Sequence, residues 1–325
     1  MSITFRSFLF LLLLQFTQTA TSQIVYFPEE LIVNASALNL RDQPDKSGKV
    51  VEKLPRGAAL TLLEAVDGGQ YQEIDSLYGA WLKVKYKNKS GYVFSAHVIG
   101  AFNLYQDGEI FDDALPNLNW YGVYMRDSFA DELRKIDVRL EKSYHELYGD
   151  TVRVLRTNQT ANSKFIVGTA TPLQPGLAGN LGAYDPGTLY MSSELGPGAM
   201  LPIYPGQEND DTTSYNTYYL AATGCARFDD SDFVKVSDYR LFAFESLAEG
   251  YSPKQDITGW VQPEEGLNPS VNLVWFGDLD HDRKPDALVQ DSPYEAGARM
   301  SLFLSSKART GEFLHKVCEY YYPME

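Results

Sequence analysis

From Leu31 to about Gly100, apolar and polar residues alternate in short runs at even spacing. Leu38-Asn-Leu-Arg41 leads into the turn-rich stretch Asp42 to Gly48. Lys49-Val-Val-Glu-Lys-Leu54 ends at the turn Pro55-Arg-Gly57, and Ala59-Leu-Thr-Leu-Leu63 follows. After a polar stretch from Asp67 to Ser76 come Trp81 to Tyr86, a turn at Asn88 to Gly91, and Tyr92-Val-Phe94. A period of two marks strands buried on one face. Several short strands so spaced predict a small barrel or sandwich.

Residues 101–119 carry no clear period; they mix Gly108 and Pro116 with Asp107, Glu109, Asp112 and Asp113, and read as a connector. Trp120-Tyr-Gly-Val-Tyr124 opens a second domain, residues 120–325. From Asp127 to Gly149 two periods compete. Phe129, Leu133, Ile136, Leu140, Tyr144 and Leu147 recur at helical spacing, while Ile136, Val138 and Leu140 alternate as in a strand. Strand is the expectation for the second half, because the runs after it read as strands: 151–155, 164–168, 218–222, 239–244, 271–276, 287–290, 300–304 and 316–320. A Gly/Pro-rich segment from Pro172 to Gly206 reads as partly ordered surface loop. No internal repeat of convincing period supports a propeller. The expected class is mainly β.

The pieces Leu38-Asn-Leu-Arg41, Leu54-Pro-Arg-Gly57-x-x-Leu60 and Trp81-Leu-Lys-Val with Gly91-Tyr-Val93 resemble the bacterial SH3 (SH3b) family in order and spacing. The resemblance covers residues 31–100, about a quarter of the chain. It implies a small five- to seven-stranded barrel in an envelope or secreted protein, with a peptide or peptidoglycan-type ligand as partner. Trp81, Tyr86 and Tyr92 are candidates for an aromatic ligand face; the alternative is that Trp81 and Tyr92 fill the barrel core.

Residues 1–22 have the make-up of a secretory signal peptide: Arg6, then the apolar Ser7 to Leu14, then polar residues ending in Ala20-Thr-Ser22. That apolar core is too short to span a bilayer, and no later stretch approaches the needed length. The expected location is periplasmic or secreted. A formal charge of −15 argues against nucleic acid and against anionic lipid as partners. The two cysteines, Cys225 and Cys318, are expected to form a disulfide in an oxidising compartment. Asn34, Asn88 and Asn158 each begin an N-x-Ser/Thr triplet, which matters only in a eukaryotic secretory pathway.

The densest chemistry lies in Asp278-x-Asp280-x-Asp282-x-Lys284-x-Asp286, a short acidic loop between apolar runs. Ca²⁺ takes six to eight oxygen ligands, and alternating carboxylates in a tight turn aim several at one centre. The loop and its flanks, Val274-Trp-Phe-Gly277 and Pro285-Asp-Ala-Leu-Val289, resemble the calcium loop of FG-GAP repeats. That resemblance implies side-chain ligands from Asp278, Asp280, Asp282 and Asp286 and the backbone carbonyl of Lys284. Arg283 departs from the pattern, which has Gly there, and the loop occurs once rather than in series. An EF-hand would need Glu where Val289 stands.

Bacterial SH3 modules accompany cell-wall hydrolases, so catalysis has to be weighed. Cys225 with His281 or His315 would be the pair for a cysteine peptidase, yet the acidic Phe228-Asp-Asp-Ser-Asp232 beside it disfavours a thiolate. His97, His145, His281 and His315 are scattered without an H-E-x-x-H, and no G-x-S-x-G occurs. The reading is therefore an exported, non-catalytic binding or structural protein of the cell envelope with one structural calcium site. The alternative is a wall-directed peptidase or amidase targeted by its SH3b module.

Overall fold

The computed structural model describes residues 26–111, 114–126, 130–145, 149–159, 162–180, 194–203, 218–228, 234–247, 250–261, 271–294 and 297–323. The expected signal peptide lies outside them, as does much of the Gly/Pro-rich segment. Where that segment is described it is not surface loop alone but carries the paired strands Gly176–Asn180 and Met200–Ile203, held by buried Ala178, Leu201 and Ile203. The chain is mainly β, beginning with a small barrel.

Its strands are β1 (Glu30–Val33), β2 (Ala37–Arg41), β3 (Val50–Pro55), β4 (Ala59–Ala65), β5 (Gln72–Ile74), β6 (Leu77–Gly79), β7 (Trp81–Tyr86), β8 (Lys89–Phe94) and β9 (Val98–Gly100). Seven of them form one sheet in the order β3-β2-β8-β7-β4-β1-β9, and β5 and β6 pair as a separate hairpin. The alternation read from the sequence is what closes it. Leu38, Leu40, Leu54, Leu60, Leu82, Val84 and Val93 fill one core, while the residues between them face outward. The β5–β6 turn, Asp75-Ser76, has both residues at positive φ, 53° and 63°, as a two-residue hairpin that matches strand twist requires.

The next strands are β10 (Phe102–Tyr105), β11 (Asn119–Met125), β12 (Ala130–Lys135), β13 (Val138–His145), β14 (Asp150–Thr157), β15 (Phe165–Thr169) and β16 (Gly176–Asn180). Residues 101–119, expected as a connector, thus contribute β10, the edge of a five-stranded sheet ordered β10-β15-β11-β12-β16. The helical spacing around Leu133 loses to strand. β12 is paired on both sides, by β11 and β16, so its backbone groups are satisfied in the sheet, and Asp131 and Leu133 are both buried. β13 and β14 form a two-stranded ribbon. Its Val138 and Leu155 pack with Trp120, Tyr124, Ile136 and Ile166 on one face of the five-stranded sheet.

The remaining strands are β17 (Met200–Ile203), β18 (Tyr218–Phe228), β19 (Val234–Leu247), β20 (Gly250–Tyr251), β21 (Gln255–Asp256), β22 (Asn272–Gly277), β23 (Asp286–Tyr294), β24 (Gly297–Leu304) and β25 (His315–Pro323). β22-β23-β24-β25 is the central layer. On one side Trp275, Leu288, Leu302, Leu304 and Cys318 pack with Tyr121, Val123, Leu133, Phe165 and Val167 of the β10–β16 sheet. On the other, Phe276, Ala287, Val289 and Phe303 pack with Leu201, Ile203, Leu220, Leu241 and Ala243 of the β17–β21 sheet. A strand covered on both faces cannot alternate with polar residues. Leu302-Phe303-Leu304 is accordingly apolar throughout and fully buried. Trp275 Nε1 and Lys164 Nζ both donate to Asp131 Oδ2, at 3.0 and 2.7 Å, tying central layer to neighbouring sheet.

The barrel meets these layers through the start of β1. Glu30 pairs with Lys307 at 2.9 Å, Glu29 pairs with Arg309, and Tyr26 donates to the Lys316 carbonyl at 2.9 Å. These contacts frame a small cleft of about 60 Å³ lined by Glu29, Glu30, Phe102, Lys307, His315 and Lys316.

Candidate functional site

The acidic loop is the turn between β22 and β23. Asp278 Oδ1 accepts from Asp282 N at 3.0 Å and Oδ2 from Arg283 N at 2.9 Å, which folds the loop onto its first residue. Asp286 Oδ2 accepts from Leu279 N at 2.7 Å. Its Oδ1 accepts from Ser305 N at 2.9 Å. One carboxylate thereby links the loop to the end of β24. Gly277 lets the loop start against β16, with Asp278 N donating to the Ala178 carbonyl at 2.6 Å.

The result gathers Asp278, Asp280 and Asp286, one carboxylate oxygen of each within 4.8 Å of the others. Asp282 stands apart from this trio. Its carboxylate accepts from Ser305 Oγ at 3.1 and 3.2 Å and from Lys284 N at 2.8 Å. Ser306 Oγ donates to Asp280 Oδ2, and Asp280 Oδ1 is buried without a partner. Ser305 and Ser306 were invisible to sequence reasoning, because nothing near Leu304 marks them as neighbours of a loop some twenty residues back.

Gathering acids this way is costly. Two carboxylates about 5 Å apart repel by roughly 3 kcal/mol at an effective dielectric of about 20. Burial pushes the Asp286 carboxyl well above the usual range, and Asp280 beside it adds to the shift. Burial also raises Asp278, against the pull of the Arg283 N–H, and raises Asp280, against the Ser306 hydroxyl. Arg283 sits at φ 69°, the left-handed conformation for which the sequence pattern prefers Gly.

The expected disulfide is not formed: Cys225 and Cys318 are both free. Cys318 lies on β25 within the core shared by the central layer and the β10–β16 sheet. Cys225 is exposed on β18, in the sheet that covers the opposite face of the central layer. A strand's side chains leave on one face or the other, so Cys318 is turned away from the sheet that carries Cys225. Burial also pushes the Cys318 thiol far above its ordinary range. On native protein, a thiol reagent is expected to modify Cys225 rapidly and Cys318 only after unfolding, read by mass spectrometry. A mass two protons short of the dithiol form would contradict this.

As a peptidase nucleophile Cys225 lacks a supporting frame. It lies mid-strand opposite Ser237, and the described residues contain no α-helix whose N-terminus could favour a thiolate. The four histidines fall on separate elements: His97 after β8, His145 at the end of β13, His281 in the acidic loop and His315 at the start of β25.

The aromatic face expected from Trp81, Tyr86 and Tyr92 is not one face. Tyr86 shares the core side of β7 with Leu82 and Val84. Trp81 points the other way but is 6% exposed, packed on Phe94 at 5.6 Å. Tyr92 alone is half-exposed and outward, flanked by Arg41 on β2 and Lys83 on β7.

The sequence model of the bacterial SH3 domain family matches residues 36–99, which span β2 to the middle of β9. A domain of this family points to binding directed at the cell wall. No curated protein matches the chain. No solved structure matches it. Among the described residues, no helix is long and apolar enough to cross a membrane.

Proposed function

We propose that this chain is an exported, non-catalytic binding protein of the cell envelope, periplasmic or secreted, whose barrel holds a peptide or peptidoglycan-type ligand. The observation that carries the reading is the bacterial SH3 match, which falls on the barrel strands and ends where the layered body begins. The body then serves as a rigid partner to the barrel. Its acidic loop is read as a structural calcium site in which Asp278, Asp280 and Asp286 supply the central oxygens. Asp282 joins only by giving up Ser305, and the Lys284 carbonyl completes the set. Two features support the ion: the trio of close carboxylates, and the orphaned Asp280 oxygen. Each hydrogen-bonded carboxylate oxygen keeps a second lone pair for a cation.

The test is co-sedimentation of the full chain with insoluble peptidoglycan, with cellulose, which has neither amino sugars nor peptides, as the unrelated polymer. The chain is expected to pellet with peptidoglycan alone and to release no soluble fragments. Equal binding to both polymers, or none, would end the wall-binding reading. Release of wall fragments would replace a binding protein by a hydrolase.

A further inference from the structure

We infer that the outer face of β2, β3, β7 and β8 is a docking surface for an acidic peptide, one that presents carboxylates to a cationic stripe centred on Tyr92. This names the ligand chemistry of the barrel and rests on the wall-binding reading above. Cross-strand register builds the stripe. Lys53 on β3 is opposite Asn39 on β2, Arg41 on β2 is opposite Tyr92 on β8, and Tyr92 is opposite Lys83 on β7. Lys85, two residues on from Lys83, emerges on the same side. Adjacent strands are about 4.8 Å apart, so Arg41, Tyr92 and Lys83 span about 10 Å.

The face is cationic and its charges are largely unspent. Lys53 and Lys85 make no ion pair among the described residues, and both are exposed. Lys83 has only the exposed Glu64 at 3.9 Å. Arg41 commits Nη1 to the Gly48 carbonyl at 2.7 Å, which steadies the guanidinium. Asp45 lies within its electrostatic reach but makes no ion pair with it, so part of the fork remains for a ligand carboxylate. By contrast Lys46 and Lys89 on the rim are held by Asp75 and Glu52.

Charge complementarity decides the occupant. Residues 31–100 hold nine basic and seven acidic side chains, in a chain of 28 basic and 43 acidic ones. With Glu30 of β1 counted the barrel is near neutral beside a strongly negative body, so an anionic ligand meets less repulsion at the barrel and its cationic stripe than the net charge of the chain implies. The junction with that body runs through Glu29 and Glu30 at the β1 side, while β3, β2 and β8 lie at the other end of the sheet order. Tyr92 adds a half-exposed ring against which peptide can pack.

The experiment measures binding of the full chain to peptidoglycan stripped of phosphate polymers with hydrofluoric acid, with its peptide carboxyls either free or amidated. Affinity for the free-carboxyl form is expected to exceed that for the amidated form by about tenfold, and to fall as salt rises. Lys83→Gln with Lys85→Gln should lose about tenfold on the free form and almost nothing on the amidated one. Lys46→Gln should bind like wild type. Both stripe lysines are at the surface, so the melting temperature of the double variant should be unchanged. Equal binding to both forms would overturn the carboxylate inference and leave the wall reading standing. Binding lost on removing phosphate polymers would give the face to a phosphate ligand instead. No binding to any wall preparation would remove the wall reading, and this inference with it.

Discussion

About 10 mM Ca²⁺ is expected to raise the melting temperature of the wild-type chain by roughly 5 °C over its value in EDTA. A ligand that binds only the native state adds RT ln(1 + [L]/Kd), about 2.7 kcal/mol at a hundredfold excess over Kd. Extracellular calcium modules reach Kd values of about 10⁻⁴ M, and about 2 °C per kcal/mol is usual at this chain length. Asp280→Asn is the sharpest variant. Asp280 has one oxygen bonded to Ser306 and one buried oxygen without a hydrogen-bond partner, and Asn keeps an oxygen that can still accept from Ser306 while removing the charge. In EDTA this variant should be more stable than wild type, because a charge beside Asp278 and Asp286 is gone. In Ca²⁺ it should gain little. Arg283→Gly should tighten binding, since a non-glycine residue at φ 69° costs on the order of 1 kcal/mol and the guanidinium repels the ion. If wild type and Asp280→Asn respond alike to Ca²⁺, the loop is only a hydrogen-bonded turn.

Gly277→Ala should destabilise the chain by about 3 kcal/mol or more, read as a shift in denaturant midpoint. A Cβ on Gly277 would lie 1.9 Å from the Ala178 carbonyl oxygen and 2.5 Å from the Trp275 ring. The carbonyl belongs to β16 backbone and has no rotamer by which to escape. The end of β22 must therefore back away from β16, breaking the bond from Asp278 N and moving the first acid of the loop. Calcium response should fall along with stability. Gly311→Ala is the contrast: its φ is 88° but nothing lies near its Cβ, so about 1 kcal/mol is expected. A Gly277→Ala midpoint within error of wild type would mean that β16 and β22 do not meet so closely.

The barrel was legible because its information is local. Alternation of Leu38, Leu40 and Leu54 with polar neighbours states which side each strand buries, and the turns between them are punctuated by Gly57 and Asn88. The bare apolar run at Leu302 to Leu304 likewise states that a strand is covered twice. The acidic loop was legible as a turn of carboxylates between two strands, for the same reason.

What the sequence by itself determined, then, is most of the strands, the barrel and the acidic turn, each from local pattern; β5, β10, β16 and β17, in stretches read as polar loop or connector, were not among them. Tertiary structure alone decided which side chains meet across layers. It turned Cys318 into a core that Cys225 does not reach, brought Ser305 and Ser306 onto the acidic loop, and set Trp275 on Asp131, 144 residues away. It also separated Tyr86 from Tyr92 and put Arg41 and Lys83 beside the latter. The physical reason is that period fixes the direction of a side chain from its own strand, whereas its neighbours depend on sheet order and stacking, which no short stretch encodes.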